Sequence, residues 1–252
     1  LPNKTLNIAL AGTGVGKSLF MCHVASSCLL QGRNVLYITC EMAEEKIAER
    51  IDANLLDIPI QQLQDPLLTK QKYRAKIDEL KKKTQGKLVI KEYPTASAHV
   101  GHFKSLLNEL SLKKGFHPEI IFVDYLNICA SSRYKGTIVN SYTYVKAIAE
   151  ELRGLAGEYN VPILSATQTT RSGYGNSNVE ITDTSESFGL PATADLMFAL
   201  ISTEDMEELN QIMVKQLKNR YNDPTVYKRF VLGIDRQKMR LYDCDQNAQQ
   251  DI

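Results

Sequence analysis

Three glycines, a lysine and a serine fall within seven consecutive positions near the start of the chain. The stretch Gly12-Thr13-Gly14-Val15-Gly16-Lys17-Ser18 has the residue types that phosphate chemistry asks of a loop. Glycines let backbone N–H groups converge without Cβ clashes. Those groups, with the N-terminus of a following helix, make a concave site for anionic oxygens. Lys17 adds a compact positive charge for the β- and γ-phosphates. The Ser18 hydroxyl suits Mg²⁺, a hard cation that prefers oxygen ligands. One position departs from the full pattern, which asks for glycine where Ala11 stands. Alanine tolerates a negative φ, so the loop is still expected to bind a nucleoside triphosphate with Mg²⁺.

Four further positions carry chemistry. Asp124 closes the apolar run Ile120–Val123, and an acid at the end of a buried strand beside a phosphate loop can hold the water shell of Mg²⁺. An ordinary turn acid has the same local sequence. Glu41 follows a second strand-like run and has two readings: a general base for an attacking water, or a favourable charge at the start of the next helix. Gln168 ends another run, where an amide can hydrogen-bond a γ-phosphate or the attacking water. Lys218 and Arg220 sit near the tip of an expected late hairpin. They can reach a neighbouring subunit's nucleotide as an arginine finger, or lie as a solvated basic turn.

These residues need a sheet to position them. Leu6–Ala11 reads as a strand and the segment after Lys17 as a helix. Asn34–Thr39 is a second strand, expected beside the loop strand so that Glu41 faces the phosphates. Ile47, Ile51 and Leu55 recur at i, i+4, i+8 and predict an amphipathic helix. Residues 57–66 read as a connection broken by Pro59 and Pro66. A charged helix carrying Tyr73, Ile77 and Leu80 follows, and its Lys81-Lys82-Lys83 end reads as solvated. Leu88–Ile90 predicts a short strand. Phe103, Leu106, Leu107 and Leu110 mark one helical face; Val145, Ile148, Leu152, Leu155 and Tyr159 mark another. Two polar loops, Ser131–Asn140 and Thr169–Glu186, leave the carboxyl sides of the Asp124 and Gln168 strands. Strands are also expected at Pro162–Ala166, Asp195–Ile201, Ile212–Leu217, Phe230–Ile234 and Met239–Tyr242. Alternating strands and helices imply an α/β fold, a mostly parallel sheet covered on both faces. The late strands add an antiparallel extension. Ligands of such sheets bind at the carboxyl ends of strands, where the glycine loop, Glu41, Asp124 and Gln168 all fall.

Bulk properties narrow the class. At 252 residues, 43% hydrophobic, the chain suits one large domain over residues 1–252. A net charge of +1 excludes a polycation, so any contact with nucleic acid must be local and loop-borne. Five scattered cysteines without CxxC spacing argue against a disulfide framework or zinc site and for a reducing, cytoplasmic setting. No apolar run approaches membrane-spanning length. The chain opens at Leu1 rather than Met, which reads as a fragment with its upstream part removed or unseen.

The ordered set GTGVGKS, YITCEM, IIFVDYL, ILSATQ and KNRYNDP resembles the C-terminal motor domain of DnaB-like hexameric replicative helicases, RecA-type P-loop ATPases, and most of all those of T-even-type phages. The resemblance runs from Leu6 to about Tyr242. It implies ATP and Mg²⁺ as cofactors, with Lys17 and Ser18 on phosphate and metal, Glu41 activating water, Asp124 supporting the metal and Gln168 coupling hydrolysis to DNA. It implies that Lys218 and Arg220 act on the neighbour's ATP in a homohexameric ring. It also implies that the loops 131–140 and 171–188 line a central channel holding single-stranded DNA, with Arg133, Lys135 and Arg171 as basic contacts. Arg50 is placed either behind Glu41 or on the solvated helix surface. Unwinding would be 5′ to 3′, with a primase and a helicase loader as partners. The family's N-terminal domain and linker helix are not in this sequence, so the chain alone is expected to bind nucleotide, assemble poorly and hydrolyse slowly. A strand-exchange recombinase on the same fold, a P-loop small-molecule kinase and a non-catalytic switch holding ATP between subunits are the rival readings.

Overall fold

A computed structural model of the chain describes residues 1–63, 70–83, 85–134, 139–169, 179–184 and 189–244. Its frame is one nine-stranded sheet. In chain order the strands are β1 (Leu6–Ala11), β2 (Val35–Thr39), β3 (Leu88–Glu92), β4 (Ile120–Asp124), β5 (Ile163–Gln168), β6 (Leu196–Ile201), β7 (Gln211–Asn219), β8 (Arg229–Asp235) and β9 (Arg240–Asp243). Their spatial order is β3-β2-β4-β5-β1-β6-β7-β8-β9. The strands from β3 to β6 in that order run parallel, and β7, β8 and β9 continue antiparallel.

The helices are α1 (Lys17–Leu30), α2 (Glu44–Leu56), α3 (Ile60–Leu63), α4 (Lys70–Lys83), α5 (Val100–Lys114), α6 (Ser141–Tyr159), α7 (Gly189–Thr193) and α8 (Glu204–Glu208). The longer ones follow from periodicity and end signals. Asn140 caps α6, its Oδ1 accepting from Thr143 N at 2.8 Å, and Asn160 ends the helix in the left-handed region. Gly115 ends α5 the same way, at φ 56°. The expected irregular connection after α2 holds one turn of helix, α3.

The central strands are buried on both faces, as parallel sheets require. β1 is buried at all six positions, and its side chains feed both layers. Leu6 and Ile8 pack with Phe103, Leu107, Ile148 and Leu152 of α5 and α6. Ala9 and Ala11 pack on the other face with Leu19, Met21 and Ala25 of α1 and with Ile47 and Ile51 of α2.

One expectation is corrected. β2 does not lie beside β1: β4 and β5 stand between them, and β1 is flanked by β5 and β6. Strand adjacency follows from long-range packing of the crossover helices, which local sequence does not encode. Register nevertheless brings the marked ends to one end of the sheet, because Thr39 pairs with Asp124 and Ala11 pairs with Gln168.

The opposite end of the central strands, where β1 and β6 begin, is tied by an acid. Asp195, fully buried just before β6, accepts from Leu6 N, from Nε and Nη2 of Arg153 and from Arg220 Nη1, each at 3.0 Å. Burial alone would raise its pKa; the Arg153 hydrogen bonds, the Leu6 N–H and the charges of Arg153 and Arg220 outweigh burial and hold it below the usual carboxylate range. A depressed carboxylate stabilises the fold above its unfolded pKa, and that contribution is lost as pH falls through the folded value. Asp195→Asn is therefore expected to lower the unfolding free energy by about 2 kcal/mol at neutral pH, a value discounted because both arginines are partly exposed. The gap should narrow as the pH is taken from 7 to the acid side of the ordinary aspartate value of about 3.9. Denaturant unfolding at both pH values checks this; an equal penalty at both would assign the effect to packing.

Candidate nucleotide site

The glycine loop joins β1 to α1, and α1 begins directly on it. Gly16 is the N-terminal boundary at φ 120°, and Gly14 lies at φ 81°; both are conformations that side chains rarely adopt. Among the described residues no side chain caps α1 and no acid occupies its first turn. Other helices here satisfy their first N–H groups with Asn140, His99 or Thr203. The bare α1 terminus leaves its donors and its partial positive charge for an anion.

Near this loop the structure brings together Lys17, Asp124 and, through Tyr125, Gln168. Lys17, the first residue of α1, is 9% exposed, and its Nζ lies over the Tyr125 ring, 5.6 Å from the centroid. Burial lowers its pKa, while the charges of Glu41 and Asp124 act against that and favour the ammonium. The same lysine thus feels both carboxylates, although they come from different strands. Gln168 Nε2 donates to Tyr125 Oη at 3.2 Å, so Tyr125 bridges Lys17 and Gln168. The Asp124–Tyr125 peptide is cis.

Asp124 is fully buried at the end of β4. Its Oδ2 accepts from Tyr37 Oη at 2.9 Å, and Tyr37 is itself buried and stacked on Phe122 at 5.5 Å. Its Oδ1 has no hydrogen-bond partner among the described residues. Burial raises the Asp124 pKa; Tyr37 and the nearby Ser18 hydroxyl, then Lys17 and Arg50, oppose the shift. A buried carboxylate oxygen without a partner is costly, and beside a serine hydroxyl it is the donor set of a hard cation. The residues present therefore fit Mg²⁺.

Glu41 is exposed at the loop after β2, and α2 starts only at Glu44, so Glu41 is not a first-turn helix charge. Arg50, on α2, faces the loop across a cavity of about 310 Å³ rather than bulk solvent alone. A larger hollow of about 580 Å³ lies under the β7–β8 turn among Phe20, Phe198, Val226 and Tyr227. No lysine or arginine lines it, so it is not the phosphate site.

Lys218 and Arg220 are elsewhere. They close β7 at the opposite end of the strands, where Asn219 pairs with Leu196. Lys218 Nζ donates to Pro191 O at 2.6 Å, and Arg220 Nη2 to Ala192 O at 2.6 Å. The sheet separates them from their own loop by roughly 16 Å, five residues of strand rise. Arg133, half exposed, pairs with Glu150 of α6. Lys135 and Arg171, with most of the loop 171–188, lie outside the described residues.

Two tyrosines escaped the sequence reading. Tyr37 and Tyr125 look like core aromatics, yet each places a hydroxyl at the site. The available signal was a tyrosine inside or just past an otherwise apolar strand, whose hydroxyl must find a polar partner when buried.

A parallel sheet with the glycine loop after β1, a buried acid ending β4 and an amide ending β5 defines a RecA-type P-loop nucleotide-binding domain. The model of the family described as DnaB-like helicase C terminal domain matches residues 1–229, and the chain belongs to that family. It is 45% identical over 245 residues to the DnaB-like replicative helicase of Enterobacteria phage T4, a match covering 97% of this chain and 52% of that protein. The chain thus spans about half the length of that relative. Two solved structures share the fold at 17% identity. One, described as an ATPase domain, superposes with a TM-score of 0.80, covering 97% of this chain and 86% of that one. A DnaB-like replicative helicase described with its interactions with primase gives 0.79, covering 97% and 58%. Among the described residues no helix is long and apolar enough to cross a membrane.

Proposed function

We propose that residues 1–252 form a single motor domain of a replicative DNA helicase, hydrolysing ATP between adjacent subunits of a homohexameric ring to move along single-stranded DNA 5′ to 3′. The observation that carries this reading is the buried Oδ1 of Asp124, without a hydrogen-bond partner among the described residues, beside Ser18 and Lys17 at the start of a helix that no described side chain caps, in a chain of this family. Lys17 and the loop amides hold the β- and γ-phosphates. Ser18 and Asp124 would hold Mg²⁺, which when bound neutralises phosphate charge and fixes its geometry. Glu41, open to solvent, orients a water and takes its proton as the water oxygen attacks the γ-phosphorus and the bond to the β–γ bridging oxygen breaks. Gln168, linked to Lys17 through Tyr125, reports the γ-phosphate to the loop that follows it.

Arg220 and Lys218 act on the neighbour's nucleotide, since the sheet keeps them from their own. When Arg220 leaves Asp195, that carboxylate retains Arg153 and the Leu6 N–H, so release strands no buried charge. Arg133, with Lys135 and Arg171, meets DNA phosphates in the channel. A primase and a helicase loader are the expected partners of the whole protein, in the cytoplasm of the host cell.

The trans arrangement is testable by complementation in the full-length protein. Arg220→Ala is expected to bind MgATP normally and lose at least about 10²-fold in turnover, as arginine fingers do. Mixing it with chains carrying Glu41→Gln should restore part of the activity, because some interfaces then pair an intact Glu41 with an intact Arg220. Mixtures as inactive as either variant would rule out action in trans.

A further inference from the structure

β7 carries a buried cation with no part in the nucleotide chemistry. Lys215 stands mid-strand, pairs with Ala199 of β6 and Arg229 of β8, and is 1% exposed. Its Nζ donates to Val179 O and to Glu180 Oε1, both at 2.7 Å. Taking an ammonium out of water is costly, and an apolar side chain of similar length would fill the position without that cost. What the lysine holds is residues 179–184, part of the segment between Gln168 and β6. Val179 is buried among Leu10, Ala199, Ile201, Met213 and Val231. Thr184 closes a bridge back to Thr169, whose N–H donates to Ala11 O at 3.2 Å.

The same strand grips this segment again further along. Lys218 Nζ reaches Pro191 O and Arg220 Nη2 reaches Ala192 O, both in α7. Side chains alternate between the faces of a strand, so positions 215 and 218 would ordinarily point in opposite directions. A bulge intervenes: Phe198 pairs with Gln216 and Met197 with Lys218, which leaves Leu217 as the extra residue. Such an irregularity re-aims the side chains beyond it. Lys215, Lys218 and Arg220 thereby all donate to backbone carbonyls of one segment, those of Val179, Pro191 and Ala192.

We propose that Lys215 is a positioning residue that ties the segment after Gln168 to the strand bearing Lys218 and Arg220, so that single-stranded DNA on one subunit's loop sets the reach of that pair toward the neighbour's nucleotide. This rests on the reading of the chain as a helicase motor whose Lys218 and Arg220 act in trans. Lys215 and Lys218 are three residues apart, roughly 10 Å of strand rise, on a strand paired along both sides. A displacement of residues 179–184 is therefore passed through Lys215 to β7, and shifts Lys218 and Arg220 against the α7 carbonyls that hold them. Without the ammonium, the segment and the strand move independently.

The test uses the full-length protein, with phosphate release followed with and without an oligothymidylate. The single strand should stimulate the wild type. Lys215→Met removes the charge and keeps the length. It should hold DNA-free turnover and the half-stimulating oligothymidylate concentration within about twofold, and lose at least about fivefold of the stimulated turnover, the lower end of a coupling between sites. Glu180→Ala cuts one of the two tethers at a side chain that is 57% exposed, and should lose about two- to threefold of the stimulated turnover. An equal fall with and without DNA, a higher half-stimulating concentration with full stimulation at saturation, or wild-type stimulation in Lys215→Met would each overturn the proposal. If thermal unfolding shows that Lys215→Met does not fold, Glu180→Ala decides alone, and wild-type stimulation in it overturns the proposal. A wild type that the single strand does not stimulate would refute the helicase reading, and this proposal with it. A stimulated wild type with unaffected variants would refute this proposal alone.

Discussion

Glu41→Gln is expected to bind MgATP with wild-type affinity and to lose about 10²–10⁴-fold in turnover, the range for removing a general base. The amide keeps the shape and can still hydrogen-bond a water, but it cannot take a proton. Glu41 is exposed and outside the hydrophobic layers, so the substitution leaves packing untouched. Its charge favours the Lys17 ammonium, against the lowering by burial. Single-turnover phosphate release from the full-length protein, with binding measured in parallel, separates the two effects. Normal turnover would remove Glu41 from the chemistry; loss of binding would make it a structural or metal-holding acid.

Lys17→Met should remove MgATP binding at any practical concentration. One ammonium about 4 Å from a phosphate charge contributes about 4 kcal/mol at an effective dielectric near 20, or roughly 10²–10³ in affinity. Two consequences separate this from a general loss of structure. Methionine keeps an unbranched apolar side chain beside the Tyr125 ring, so the unfolding midpoint should hold. Asp124 also loses the charge that opposes its burial, so its already raised pKa should climb further. Titration calorimetry and thermal unfolding on one preparation check both. Retained affinity would mean that the loop amides alone bind the phosphates.

Much of this site was legible because its elements are locally determined. The run Leu6–Ala11, the glycines and the helix beginning at Lys17 each follow from backbone sterics and periodicity over a few residues. Asp124 was visible as an acid ending a buried run, and Gln168 likewise. What could not be read was anything set by chain crossings. The expected neighbour of β1 was β2; the actual neighbours are β5 and β6, chosen by how the crossover helices pack between strands distant in sequence. The end of β2, two residues before Glu41, is aligned with Asp124 all the same, because Thr39 registers against Asp124 and not because β2 borders the loop. Arg236 carries no local signal: a charged residue in a hairpin turn reads as solvated, and only the contacts of Asn54, His23 and Asp57 draw it beside Gly16. Tyr125 lies between these cases, adjacent in sequence to Asp124 yet understood only once its ring is seen over Lys17.

The arrangement also gives physical sense to a shared buried acid. Asp195 ties Leu6, Arg153 and Arg220 at the strand ends opposite the nucleotide loop. The residues proposed to act in trans are therefore held until a partner surface competes for them, and that end stays satisfied when they leave.

The most direct measurement is the structure of this chain with MgADP and aluminium fluoride, a mimic of the γ-phosphoryl group in transfer. The Glu41 carboxylate and the Gln168 amide should both lie within hydrogen-bonding distance of the water in line with the fluoride plane, about 3 Å, with the metal on Ser18 and its shell on Asp124. A complex in which Glu41 turns to solvent, or in which another group holds that water, would contradict the account.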